Sequence, residues 1–284
     1  MKVSIYLLLL MFTATVASAQ SPSKLALNAG TVLKLDNTVK TEVSQEMMGQ
    51  TIDMSFDATS NQKIEVKEKK RKSYLLTSTI TEVKFTGSAM GRDMNFDSNK
   101  QEDLDGDMGK GVKMMLNKPK DVELGEDSKV IDHPEAKAKA DDTQADPFAQ
   151  MMNSFGAGPD NSYGTKAAFT VVPTGLRPGE SWTDSTITED VKTYTTYTLK
   201  SSNGTESAFT LTGTQRVSKK MTQMEMEVVV NLTGKMTGEG TVDNRTGIIK
   251  KSTIMLESTG TSEVMGQSIP ITSKVTSSVV VTVL

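Results

Sequence analysis

Apolar and polar residues alternate along much of this chain with a period of two. From Leu33 to Val43 the odd positions are mostly apolar, and the even ones are Lys34, Asp36, Thr38, Lys40 and Glu42. Successive side chains leave a strand on opposite sides, so this pattern predicts a strand with one wet face. Met224 to Leu232 repeats it, and Ala208 to Gly213 places Phe209 and Leu211 on one side. Tyr74 to Phe85 is rich in Thr, Ile, Leu and Val, with a register change expected near Glu82 and Val83. The tail from Val275 to Leu284 ends in a run of valines and reads as a closing core strand.

Turn residues punctuate these runs. Asn203-Gly204 and Asn244 to Gly247 predict hairpin turns, because Asn and Gly tolerate positive φ. Met48-Gly49-Gln50, Met90-Gly91-Arg92 and Met265-Gly266-Gln267 sit between alternating runs and predict three more. Two of them belong to a short internal match, Glu46 to Met54 against Glu263 to Ile271, which fits a duplicated strand-turn-strand unit or two similar hairpins.

The middle of the chain differs. Gly109 to Asn117 has the apolar spacing of a short helix, and Lys120 to Asp132 reads as a hairpin around Gly125 to Ser128. Ala136 to Ala145 is low-complexity Ala, Lys and Asp. Asp146 to Met152 opens with an N-cap and a first-turn proline, a second short helix. The expected fold is mainly β: curved antiparallel sheet, a half-barrel or a two-halved β architecture, with a few short helices in the connector. Residues 20–284 form one β-rich domain, divisible into halves 20–135 and 164–284 around a partly helical connector, 136–163.

Residues 1–19 read as a signal peptide: Lys2, an apolar run from Ile5 to Val16, then Ala17-Ser18-Ala19. The run is about 12 residues, short of the roughly 20 that span a bilayer. No transmembrane segment is therefore expected after cleavage, and the chain is placed in the periplasm or outside the cell. There is no cysteine, which excludes a cysteine-linked lipid anchor, disulfides and thiolate metal sites. Net charge is −3, so bulk charge draws neither nucleic acid nor an anionic membrane.

Few residues offer chemistry. Asp103, Asp105 and Asp107 alternate in an expected acidic loop, and alternate carboxylates can hold Ca²⁺. Met108 and Met114 stand where a calcium loop needs Gly and Glu, so a solvated loop capping the next helix is the plainer account. His133 is the only histidine, with Asp132 and Glu135 beside it, and there is no nucleophile elbow. Methionine is common at 18 residues. Met221, Met224 and Met226 have soft-metal spacing, but thioethers on a strand normally fill a core or line an adaptable apolar surface. Trp182 follows the Pro178-Gly179 turn as a core anchor or a stacking surface. No phosphate loop, dinucleotide fingerprint or zinc spacing occurs, and no cofactor is expected.

The order of these features resembles a family of secreted proteins of Gram-negative bacteria described only as a domain of unknown function. The likeness is carried by Met48 to Gln50, Phe96-Asp97-Ser98, Asn117-Lys118-Pro119, Gly125 to Ile131, Pro178 to Trp182 and Asp243 to Gly247. It implies no catalytic residues. A more distant similarity, in Asp243 to Lys251, is to lipoprotein-carrier-like half barrels with an apolar concave face. Three accounts of function stay open. The first is a non-catalytic envelope protein binding a lipid or other hydrophobic ligand on a concave face around Met224, Met226, Val228, Val230, Phe209 and Leu211. The second is a structural protein with envelope-protein partners and no small ligand. The third is a carboxylate hydrolase, for which no constellation stands out.

Overall fold

A computed structural model of the chain describes residues 24–47, 49–89, 91–131, 164–223, 226–264 and 266–284. Its strands are β1 (Val32–Met47), β2 (Gln50–Lys69), β3 (Ser73–Ala89), β4 (Arg92–Asp97), β5 (Lys120–Gly125), β6 (Ser181–Ile187), β7 (Val191–Ser202), β8 (Glu206–Gln223), β9 (Met226–Asp243), β10 (Ile249–Val264) and β11 (Gln267–Val283). They form one sheet in the order β4-β3-β2-β1-β11-β10-β9-β8-β7-β6, with β5 also paired to β3. All named strand pairs are antiparallel. The sheet does not close, since β4 and β6 are not joined. The first and last strands pair in its middle, from Leu33↔Val283 to Gln45↔Ile271. The N-terminal and C-terminal runs of strands therefore share one continuous ladder.

The alternation in sequence becomes two faces. Leu33, Leu35 and Val39 are buried, while Lys34, Lys40 and Glu42 are exposed. The closing strand obeys the same rule. Val279 and Val281 are buried but Val280 is 48% exposed, so the valine run is half core, not all core. The expected register change is a bulge at Thr81, left out between Ile80↔Gln62 and Glu82↔Asn61. It keeps both Ile80 and Val83 buried although they stand three residues apart.

One element differs from expectation. The acidic stretch is helical: α1 (Gln101–Asp105) and α2 (Asp107–Met115) meet at Gly106. The expected strand from Met224 to Leu232 falls in β9 from Met226 onward, and Met224 is outside the described residues. Met221 of β8 pairs with Val228 of β9. The expected helix Asp146 to Met152, the Ala-Lys-Asp stretch and His133 lie outside the described residues.

Two clusters pack on the inner face. The first joins Leu33, Ile64, Leu76, Phe209 and Val281 to Leu25, Leu27, Ala168 and Phe169, which come from segments plugging one end of the sheet. The Tyr74 hydroxyl ties this plug down by donating to the Leu25 carbonyl at 2.7 Å. The second sets Val112 of α2 against Val39, Val83, Phe85 and Phe96.

Curvature depends on what stands on the inner face. The strand-interior glycines Gly87, Gly213, Gly234, Gly238, Gly240 and Gly260 all take inner register positions. At Gly238 an added Cβ would lie 2.5 Å from the Thr253 carbonyl oxygen and 3.1 Å from the Ile254 Cα. Neighbouring backbones are that close on the concave side, where only hydrogen fits. Gly238→Ala should therefore destabilise the fold by about 1–3 kcal/mol, the usual cost of overpacking. Thr237→Ala, on the exposed face, should be nearly silent. Equal urea midpoints for the two variants would remove this account of the curvature.

Candidate functional site

Residues paired across successive strands form transverse rows on the concave face. One row runs Met236, Leu256, Val275, Thr41, Phe56, Gly87 and Met94, and is mostly bulky. The next, two residues along each strand, runs Gly234, Ser258, Ser273, Val43 and Met54. Beyond it come Leu232, Gly260, Ile271, Gln45 and Ile52. The small row between larger ones leaves a cleft of about 1000 Å³ at the level of that row, lined from β1, β2, β3, β9, β10 and β11, with Glu42, Asp53, Lys235, Glu257 and Lys274 at its borders. Ser258 and Gly234 are buried, whereas Val43, Met54 and Ser273 are half-buried. Thr41, one row deeper, has its hydroxyl enclosed without a hydrogen-bond partner.

The residues singled out in the sequence fall on either side of this cleft. Phe209 and Leu211 are 2% and 3% exposed in the plugged-end core. Val228 and Val230 occupy the same face of β9 further out, Val228 buried and Val230 half-buried. Leu211 pairs with Gly238, ten residues from Val228, or roughly 33 Å at the rise of a strand. Met226 opens β9 opposite Gln223, and Met224 is outside the described residues. The fold thus puts Phe209, Leu211, Val228 and Val230 on one face without bringing them to one place. The cleft between them is made by small residues that sequence reading passed over. Gly234, Ser258 and Ser273 are unremarkable one at a time, and only the register lines them up.

The three aspartates diverge. Asp103 accepts the backbone N–H of Asp97 at 2.7 Å. Asp105 meets Lys113 at 2.6 Å and accepts from Gln101, and these partners hold its carboxyl below the usual range. Lys110, at 2.8 Å, does the same for Asp107. Among the described residues no group of three or more His, Asp or Glu side chains is arranged to hold a metal ion.

The chain belongs to the family of unknown function DUF6263, whose profile matches residues 71–249. No curated protein matches the sequence. Among solved structures, a lipovitellin chain from a study of its lipid-protein interactions is 10% identical, with 90% of this chain covered and a TM-score of 0.48. This DUF6263 chain spans about a quarter of the lipovitellin chain, 25%. An outer-membrane channel from Pseudomonas putida F1 is 8% identical over 91% of this chain and 98% of its own, at TM-score 0.27. The translocator domain of the autotransporter NalP from Neisseria meningitidis is 5% identical over 90% of each chain, at 0.20. No helix among the described residues of the DUF6263 chain is long and apolar enough to cross a membrane.

Aromatic packing closes the β6 side of the trough. Trp182 stacks on Tyr197 at 5.0 Å, and Phe209 meets both edge-on. Burial pushes the Tyr197 phenol up to about 12, with the Asp184 carboxylate adding to it. An unfolded tyrosine ionises near pH ~10. The unfolded chain therefore loses this proton first, so stability is level below pH ~10 and falls as pH rises towards ~12. Tyr197→Phe should remove that part of the alkaline loss in urea unfolding compared at pH ~9 and ~11.5. An unchanged alkaline slope in the variant would show that the phenol is not protected.

Proposed function

We propose that this protein is a non-catalytic, exported binding protein that holds a lipid or other apolar ligand in the cleft of its concave face. The single observation behind this reading is the cleft of about 1000 Å³, whose floor is Gly, Ser, Val and Met. Its size matches the upper range of small-molecule sites, which are mostly apolar and carry few polar groups. Beyond the floor, Leu232, Ile271, Ile52, Val230 and Ile269 continue the apolar face half-buried, and neither core cluster includes them. Export is supported by the signal-like residues 1–19.

A second reading, a protein-interaction role, has one observation in its favour. Ile187 and Tyr194, at the β6–β7 end of the sheet, are 60% and 51% exposed.

The test is native mass spectrometry of protein purified without detergent, with uptake of an apolar fluorescent dye. Dye binding is expected, and Val43→Trp should weaken it at least about tenfold by filling the cleft, the loss of one well-packed apolar contact region. Thermal unfolding of the variant serves as a control for folding. If the wild type takes up neither lipid nor dye, or if Val43→Trp binds dye as well as the wild type, the cleft is not the site.

A further inference from the structure

We propose that the cleft selects lipids carrying an uncharged ester or amide carbonyl, which the Ser258 and Ser273 hydroxyls hold at its floor. This inference rests on the binding reading above. Ser258 is 5% exposed, and it pairs directly across strands with Ser273. Both line the cleft. Among the described residues no hydrogen bond engages either hydroxyl, and since Thr41 Oγ1 is the one enclosed side-chain atom there without a partner, the serine oxygens are open to the cleft. A hydroxyl that opens into a cleft is met by water, and a ligand that displaces that water loses affinity unless it supplies an acceptor in its place. Gly234 belongs to the same arrangement, because a Cβ there would collide with the Ser258 Oγ. Glycine leaves that oxygen room to face the cleft.

The geometry fits one carbonyl. Directly paired strand residues have Cβ atoms about 4.5–5.5 Å apart, so two serine hydroxyls can both donate to the two lone pairs of one oxygen. The rows around the floor set the orientation. Leu256, Met236, Val275 and Phe56 block the way deeper. The apolar rows on the other side lead outwards, so the carbonyl sits at the floor and the chain lies towards the open end.

Charge separates the carbonyl from a carboxylate. Lys235 and Lys274 border the cleft, but both are exposed and flank floor residues in sequence, so their side chains leave on the opposite face; Lys274 pairs with Glu257 at 3.8 Å, and the bordering Glu42 and Asp53 add negative charge. The floor row holds no cation. A carboxylate there would be buried without a counter-ion, which is far costlier than burying an ester.

The experiment is competition against the fluorescent dye by methyl palmitate, hexadecane and palmitate on the wild type and on the Ser258→Ala/Ser273→Ala double variant. Methyl palmitate should displace the dye about tenfold better than hexadecane, the ratio that one net hydrogen bond of ordinary strength supplies. It should also outcompete palmitate. In the double variant the preference for the ester should vanish while hexadecane binds as before. If the wild type binds hexadecane as well as the ester, favours palmitate, or keeps its ester preference in the double variant, the hydroxyl pair does not select the ligand and the cleft reading stands. If no competitor displaces the dye and no dye binds, the cleft reading itself fails.

Discussion

The molecule depends on crowding at the inner side of a strongly bent sheet. When a sheet curls, its concave positions approach one another while the convex ones spread. Each concave position must then be small enough to fit or be matched against another layer. The glycines solve this where backbones meet. The plug of Leu25, Leu27 and Phe169 and the α2 face around Val112 solve it by covering. The row of Gly234, Ser258 and Ser273 is small but uncovered, and that combination leaves a cleft where the same sheet elsewhere has a core.

Much of this was legible from the residues. Period-two alternation marked β1 and the tail strand, and positive-φ glycines stand at Gly49, Gly91, Gly204, Gly247 and Gly266, where turns were expected. That β8 and β9 are separate strands was not legible, because no Gly, Asn or Pro interrupts the sequence from Met221 to Leu232 before Asn231. Helix α1 was hidden because carboxylates spaced two apart look like a loop until Gly106 is seen separating two helices. The cleft was illegible for a deeper reason. It is a property of register across five strands, and alternation within one strand fixes the face a residue takes but not its neighbours on the next strand.

Register here is set over long distances. The pairing of β1 with β11 joins the first and last strands, so the sheet is complete only when the ends of the chain meet. Contacts this distant in sequence are slow to form, so a fold that depends on them has a high entropic barrier. Surface charge adds little to that assembly. Pairs such as Lys34–Asp36 and Lys40–Asp57 are exposed and worth at most about 1 kcal/mol each. Their steady alternation matters more, because it keeps the outer face wet and the sheet from slipping by one residue.

The open edges follow the same logic. Unpaired strand edges invite other strands, and short edge strands with charges limit this. β4 has six residues and β6 has seven. Lys129, in the segment after β5, reaches Asp184 of β6 at 3.9 Å, so the two edges of the sheet approach near the plug. Lys166 approaches the same carboxylate at 3.7 Å. No such pair links the edges at the hairpin end among the described residues. The trough is therefore narrowed and plugged at one end and open at the other, where the turns between β1 and β2, β3 and β4, β8 and β9, and β10 and β11 emerge. The apolar row from Leu232 to Ile52 thus lies between that open end and the cleft row, and the bulky row with Leu256 and Val275 lies between the cleft row and the plug.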